Sequence, residues 1–155
     1  MTMKNHKKGF TLLEVLLVVA ALGVLAGIVV VALNPGRQLG DTRNAQRRAD
    51  VNTILNAVYQ YAIDNDGNLP VEIDTETESS QVLGTAGTAC AAIPAVAGAV
   101  DLSSALVPTY LAGIPQDPKT GSTLDTRYYI NKDASGRVTV GACNPEQSAV
   151  ISVTR

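Results

Sequence analysis

Hydrophobic and polar positions change their spacing along this chain, and each change predicts an element. From Phe10 to Leu33, 24 residues are apolar without a period, and the only charge among them is Glu14. At ~1.5 Å per residue a helix of that length reaches ~36 Å, against ~30 Å of bilayer hydrocarbon. Asn34-Pro35-Gly36 follows. Proline has no N–H to donate and disfavours a helical residue before it, so a kink or local melt is expected there. From Leu39 to Ile63 spacings of three and four return. Ala45, Ala49, Val51, Ile54, Leu55, Val58, Tyr59 and Ala62 fall on one broad face of a second, amphipathic helix. Arg43, Arg47, Arg48, Asp50, Asn52 and Asn56 fall mostly elsewhere; the arginines read as a solvated face rather than a nucleic-acid or lipid-headgroup patch. Asp64-Asn65-Asp66-Gly67-Asn68 and then Pro70 stop the helix. If continuous, the two helical parts form a rod of ~80 Å.

Beyond Pro70 the helical period is lost. Val71 to Glu78 alternates with period two, but its four acids point to an exposed edge or loop. Gly84 to Val100, rich in Ala, Gly and Thr and broken by Pro94, predicts an irregular excursion. Asp101 stands as an N-cap before one short helix ending near Pro108, and a proline-punctuated loop runs from Tyr110 to Pro118. Three short β-branched or alternating runs close the chain: Thr126–Asn131, Arg137–Cys143 and Ala149–Val153. The turns between them lie at Lys132–Gly136 and Asn144–Glu146. Such a meander needs cover for its apolar face, and the amphipathic helix is the large partner on offer. The fold class is therefore α+β: a long N-terminal helix, half hydrophobic and half amphipathic, packed on a small C-terminal antiparallel sheet.

Glu14 raises the question of chemistry. An acid five residues into an apolar run costs on the order of 2–3 kcal/mol on insertion scales, so it marks a functional site by default. A secretory signal peptide has a shorter core and a small-residue cleavage site, neither of which is present here. A plain membrane anchor accounts for the length and leaves Glu14 unexplained. Lys7-Lys8-Gly9-Phe10-Thr11-Leu12-Leu13-Glu14-Val15, by contrast, resembles the processing site of type IV prepilins and type II secretion pseudopilins. The resemblance implies that a membrane peptidase cuts between Gly9 and Phe10 and N-methylates Phe10. The apolar helix then stays on the mature chain. It also implies a role for Glu14, which would neutralise the Phe10 amine of a neighbouring subunit as a buried pair. The divisions that follow are a leader over 1–9, a transmembrane or filament-core helix over 10–33, and a pilin-like head over 34–155. Gly23 and Gly27, spaced as G-x-x-x-G, suit close helix packing.

Composition sharpens this picture. Formal net charge is −2; loss of the leader's Lys4, Lys7 and Lys8 leaves nine basic residues against 14 acids, or −5 before the new amine is counted. Bulk charge thus gives no sign of a nucleic-acid binder. The single histidine, His6, lies in the leader, so the mature chain lacks every Ser-His, Cys-His or His-metal scheme and does not read as an enzyme. Lysines before the helix and arginines after it do not decide orientation; the resemblance implies a cytoplasmic leader.

In an exported head, Cys90 and Cys143, 53 residues apart and without metal-type spacing, are expected to form one bridge rather than two free thiols. Related pseudopilins can hold calcium in the loop before the hairpin, where Asp117 and Asp125 stand here; an ordinary polar loop is the other reading. The resemblance implies a homo-oligomeric helical filament. Its partners would be a prepilin peptidase, an inner-membrane assembly platform and an assembly ATPase. The subunit would span the inner membrane once before joining an extracellular or periplasmic filament. A type IV pilus (adhesion, motility, DNA uptake) and a secretion pseudopilus both fit, and the rival class is a monomeric membrane-anchored binding module.

Overall fold

A computed structural model describes residues 9–74, 79–87 and 89–155. The basic leader through Lys8 and the Thr75–Glu78 half of the acidic stretch lie outside these described residues. The chain divides into two compact units, Met1–Gln38 and Leu39–Arg155.

In the first unit, helix α1 runs Leu12–Leu33 and buries none of its residues. The cap is Thr11, whose hydroxyl accepts the Glu14 N–H at 3.2 Å while its carbonyl accepts the Val15 N–H. The expected interruption near Pro35 is one residue long. Asn34 takes a left-handed conformation (φ 41°), ends α1, and accepts the Arg37 N–H with its carbonyl. Helix α2, Pro35–Asp64, restarts at once because proline suits a first helical position, where its missing N–H has no intrahelical acceptor anyway.

The second unit is built on the rest of α2 and one five-stranded sheet. Helix α2 ends where Asp66 and Gly67 turn left-handed and the Gly67 N–H caps the Ala62 carbonyl. The strands are β1 (Ser80–Gly84), β2 (Val96–Val100), β3 (Asp125–Lys132), β4 (Val138–Ala142) and β5 (Ser152–Thr154), with a single-turn helix α3 (Ser103–Leu106) between β2 and β3. Their order is β2-β1-β3-β4-β5; only β1 and β2 pair in parallel. Val51, Ile54, Leu55 and Val58 of α2 are fully buried in one cluster with Tyr128, Ile130, Val138 and Val140 of the sheet. Burial of side chains of this size stabilises by ~1.5–3 kcal/mol each. Because side chains alternate across a strand, Tyr129 faces the opposite way and joins Val82, Cys90 and Cys143 in a second, smaller cluster. Its ring lies over Gly141, its cross-strand partner, where a Cβ would come within 2.4 Å of it.

The helix–loop–meander order holds, with four corrections. Strand β2 occupies the end of what reads as an irregular excursion over Gly84–Val100, and β1 runs up to its first residue. Val-Ala-Gly-Ala-Val carries no alternation for the eye to find, and its ladder depends on a segment more than ten residues away. The last strand begins at Ser152 rather than Ala149, because Gln147 and Ser148 both adopt positive φ and prolong the turn. On α2, Ala45 and Ala49 are exposed while Arg47 and Asp50 are buried, the reverse of the expected faces, and Asn44 is buried with them. Asp101 is not the cap of α3, which is Leu102 without a side-chain hydrogen bond; Asp101 stands one residue before it, and its carboxylate accepts the Ser103 N–H at 2.9 Å in a local turn.

Candidate functional site

Two groups of residues carry chemistry, one in each unit. At the head of α1, Gly9 and Phe10 are exposed and not helical, so the peptide bond between them precedes the first helical turn. Phe10 and Glu14 line one shallow depression with Val15, Val18 and Val19. The acid therefore shares a face with the residue that would carry a new amine. Further along, Gly23 and Gly27 leave a second apolar furrow, bordered by Val24, Ile28, Val31 and Ala32, and a Cβ added at either glycine would meet open space. The 22-residue α1 has a mean hydropathy of 3.1 over its most apolar stretch and is long and apolar enough to cross a membrane.

In the second unit Arg48 is exposed, as expected, but Arg43 is half-buried and Arg47 is not solvated at all. Arg47 is fully buried and grips Asp117, itself buried: Nε donates to Oδ2 at 2.5 Å and Nη2 to Oδ1 at 3.2 Å. Such side-on, two-point pairing is the strong form of an arginine–carboxylate bond. The remaining Arg47 nitrogen, Nη1, donates to Asn44 Oδ1 at 2.9 Å and Glu146 Oε2 at 3.1 Å. Glu146 also accepts from Arg43 at 2.6 and 2.7 Å and from Lys119 at 2.9 Å. Asn44 clamps the backbone of the same residue, accepting its N–H at 3.0 Å and donating to its carbonyl at 2.8 Å. One turn on, Asp50 accepts from the Tyr128 hydroxyl at 2.7 Å and from Gln46 at 2.9 Å. The network joins α2, the 117–120 turn, the 144–148 turn and β3.

Electrostatics follow from these contacts. Burial pushes the Asp117 carboxyl up, but the Arg47 hydrogen bonds and the Lys119 and Thr120 amides outweigh it and leave its pKa below the ordinary value. Glu146 is held well below the carboxylate range, first by Arg43 and then by Lys119. Burial, and then the Asp50 carboxylate, push the Tyr128 hydroxyl far up, so it stays a donor. Removing one partner of a buried pair such as Arg47–Asp117 typically costs ~3–5 kcal/mol.

The expected bridge is present between Cys90 and Cys143. It ties the β1–β2 connection to the end of β4 and sits beside a cleft whose rim includes Lys119, Asn144, Glu146 and Ser148.

Asp117 and Asp125 are both engaged by hydrogen-bond donors rather than held open for a cation. Asp117 Oδ1 already accepts N–H groups from Lys119 (2.9 Å) and Thr120 (2.8 Å) and the Thr120 hydroxyl (3.1 Å) as well as Arg47. A ring of donors is a setting for an anion, and calcium needs free oxygen lone pairs. Asp125 turns instead to its own neighbour, accepting the Arg127 N–H at 3.0 Å with Arg127 Nε 3.3 Å away. Among the described residues no group of three His, Cys, Asp or Glu side chains could hold a metal.

Sequence reasoning missed this network because charge was taken to mean surface. The signal was present: Asn44 and Arg47 continue the 51, 54, 58, 62 stripe toward the helix start at the same spacing.

Comparison with known proteins bears on the first group. Residues 4–30 match the family model described as the prokaryotic N-terminal methylation motif. The chain carries that motif. The resemblance to type IV prepilins and type II secretion pseudopilins, drawn from Gly9 to Val15, therefore stands, together with the long helix and mixed sheet behind it. The chain is also similar to the type II secretion system core protein G of Aeromonas hydrophila, with 39% identity over 62 residues. That match covers 40% of this chain and 42% of the relative, so the chain spans about two fifths of the length of the relative it matches. No solved structure matches.

Proposed function

We propose that this chain is a structural, non-enzymatic subunit of a helical filament of the type IV pilin and pseudopilin kind. It would be cut after Gly9, methylated on Phe10 and assembled through α1. One observation carries the reading. A helix of 22 residues, apolar on every side, buries nothing in the subunit and presents its sole charge beside Phe10. A helix that is hydrophobic all round must be covered by lipid or by other helices. Before assembly the cover is the inner membrane; afterwards it is the same helix of neighbouring subunits. Glu14 is a cost in both settings unless it meets a positive group, and a cleaved Phe10 supplies one.

The filament is a type IV pilus in the first reading, which the bridged loop favours. Similarity to a protein named as a secretion-system core component supports the second, a secretion pseudopilus. The partners in either case are a prepilin peptidase, an inner-membrane platform and an assembly ATPase. Intact-mass and terminal-peptide mass spectrometry of the protein from its native cell tests the processing. The expected terminus is N-methylated Phe10, and Gly9→Val should retain the leader. A mature chain beginning elsewhere overturns the reading.

A further inference from the structure

We infer that Arg47 is the built-in counter-cation of the 117–126 loop, so that the head holds its shape without calcium. The resemblance to pseudopilins raises calcium as the obvious ion for Asp117, and the residues present do not fit it. Five donor contacts converge on the Asp117 carboxylate, two of them from one guanidinium fork. Three cations, Arg43, Arg47 and Lys119, touch two carboxylates, Asp117 and Glu146, so the cluster is already positive before any metal arrives. The second candidate ligand, Asp125, is folded back on Arg127.

The loop is closed by backbone contacts as well. The Asp117 N–H donates to the Thr126 carbonyl at 2.9 Å, the Gly121 N–H to the Asp117 carbonyl at 3.0 Å, and the Ser122 N–H to the Asp125 carbonyl at 2.8 Å. Arg47 thus does from within what a divalent ion does from without: it neutralises the buried carboxylate and fixes it to a distant element. It differs in one respect. The guanidinium is covalently part of α2 and cannot be removed by a chelator or by dilution.

The test is thermal unfolding of the full chain in detergent micelles, followed by circular dichroism, with excess calcium chloride or with EGTA. Calcium titration by calorimetry accompanies it. Identical midpoints and no saturable heat are expected for the natural sequence. Arg47→Met should lower the midpoint by ~10 °C or more, since an orphaned buried carboxylate is left behind. Arg47→Met with Asp117→Leu should lose less than Arg47→Met alone, because the orphan is gone. A midpoint that drops in EGTA, or one-to-one calcium binding by the natural chain, overturns the inference. The chelator comparison decides even if Arg47→Met does not fold. Equal losses in the single and double variants would show that Arg47 acts by filling space and not by its charge, and would overturn it too.

Discussion

Removing the Cys90–Cys143 bridge offers a magnitude that can be worked from the chain itself. The two residues stand 53 apart, and the loop they close contains β2, α3, β3 and β4. In the chain-entropy account, a loop of that length restricts the unfolded state by ~4 kcal/mol, before any correction for native strain or residual unfolded structure. For a unit of this size ~1 kcal/mol moves the melting midpoint by about 4 °C, so the bridge should contribute ~15 °C. Both sulfurs sit in the small apolar cluster with Val82 and Tyr129. The double alanine variant should therefore melt above the double serine variant, which buries two hydroxyls at that spot. The assay is thermal and urea unfolding of the full chain in micelles, comparing the natural sequence with Cys90→Ala/Cys143→Ala under non-reducing conditions. The variant should also show a larger urea m-value, because its unfolded chain exposes more surface. A midpoint within ~5 °C of the bridged protein would refute the reasoning and place the loop's order in its other contacts.

Further consequences concern the ionic network and its turn. The folded Asp117 carboxyl titrates below its ordinary value, so its contribution is present above the unfolded pKa of ~3.9 and is lost as pH falls through the folded one. Head stability should hold to about pH 5 and decline below about pH 4; Asp117→Asn should flatten that decline without abolishing it, because Glu146 titrates in the same sense. Urea unfolding across pH 2–7 checks this. Gly121→Ala would set a Cβ 2.4 Å from the Asp117 backbone nitrogen and should cost ~1–3 kcal/mol by urea unfolding. Tyr128→Phe removes the hydroxyl that Asp50 accepts and should cost about 1–3 kcal/mol in the same assay, because a buried acceptor is left short of a donor.

What the sequence reveals and what it hides follow from the range of the interactions. The apolar run, the stop at Asp64–Gly67 and the β3–β4 hairpin are decided by residues a few positions apart, and local pattern reads them. The hairpin turn is an instance: Asp133 Oδ1 accepts the Ser135 hydroxyl at 2.5 Å and the N–H groups of Ser135 and Arg137 at 2.9 Å each, and the hydroxyl first, then Arg137, hold its carboxyl down at about 2. The parallel pairing of β1 with β2 depends on a closure between two segments that carry no alternation. The burial of Arg47 is signalled by its place on the α2 stripe, but its role is not. A charge on an apolar stripe becomes sensible only once Asp117 and Glu146, 70 and 99 residues away, are known to meet it. Glu14 is legible because its oddity is local: it is the one charge on a helix that buries none of its residues.

The central claim is that α1 is a filament core in which Glu14 meets the Phe10 amine of another subunit. In a monomeric anchor, Glu14→Leu removes only a cost and should leave membrane retention unchanged or improved. In a filament it orphans a positive charge at every subunit added, at ~3–5 kcal/mol each. Electron microscopy of sheared filaments, from cells whose only copy carries Glu14→Leu, decides between them. The account predicts a subunit that is processed to Phe10 and retained in the membrane, with filaments absent or rare. Normal filament number and length would contradict it.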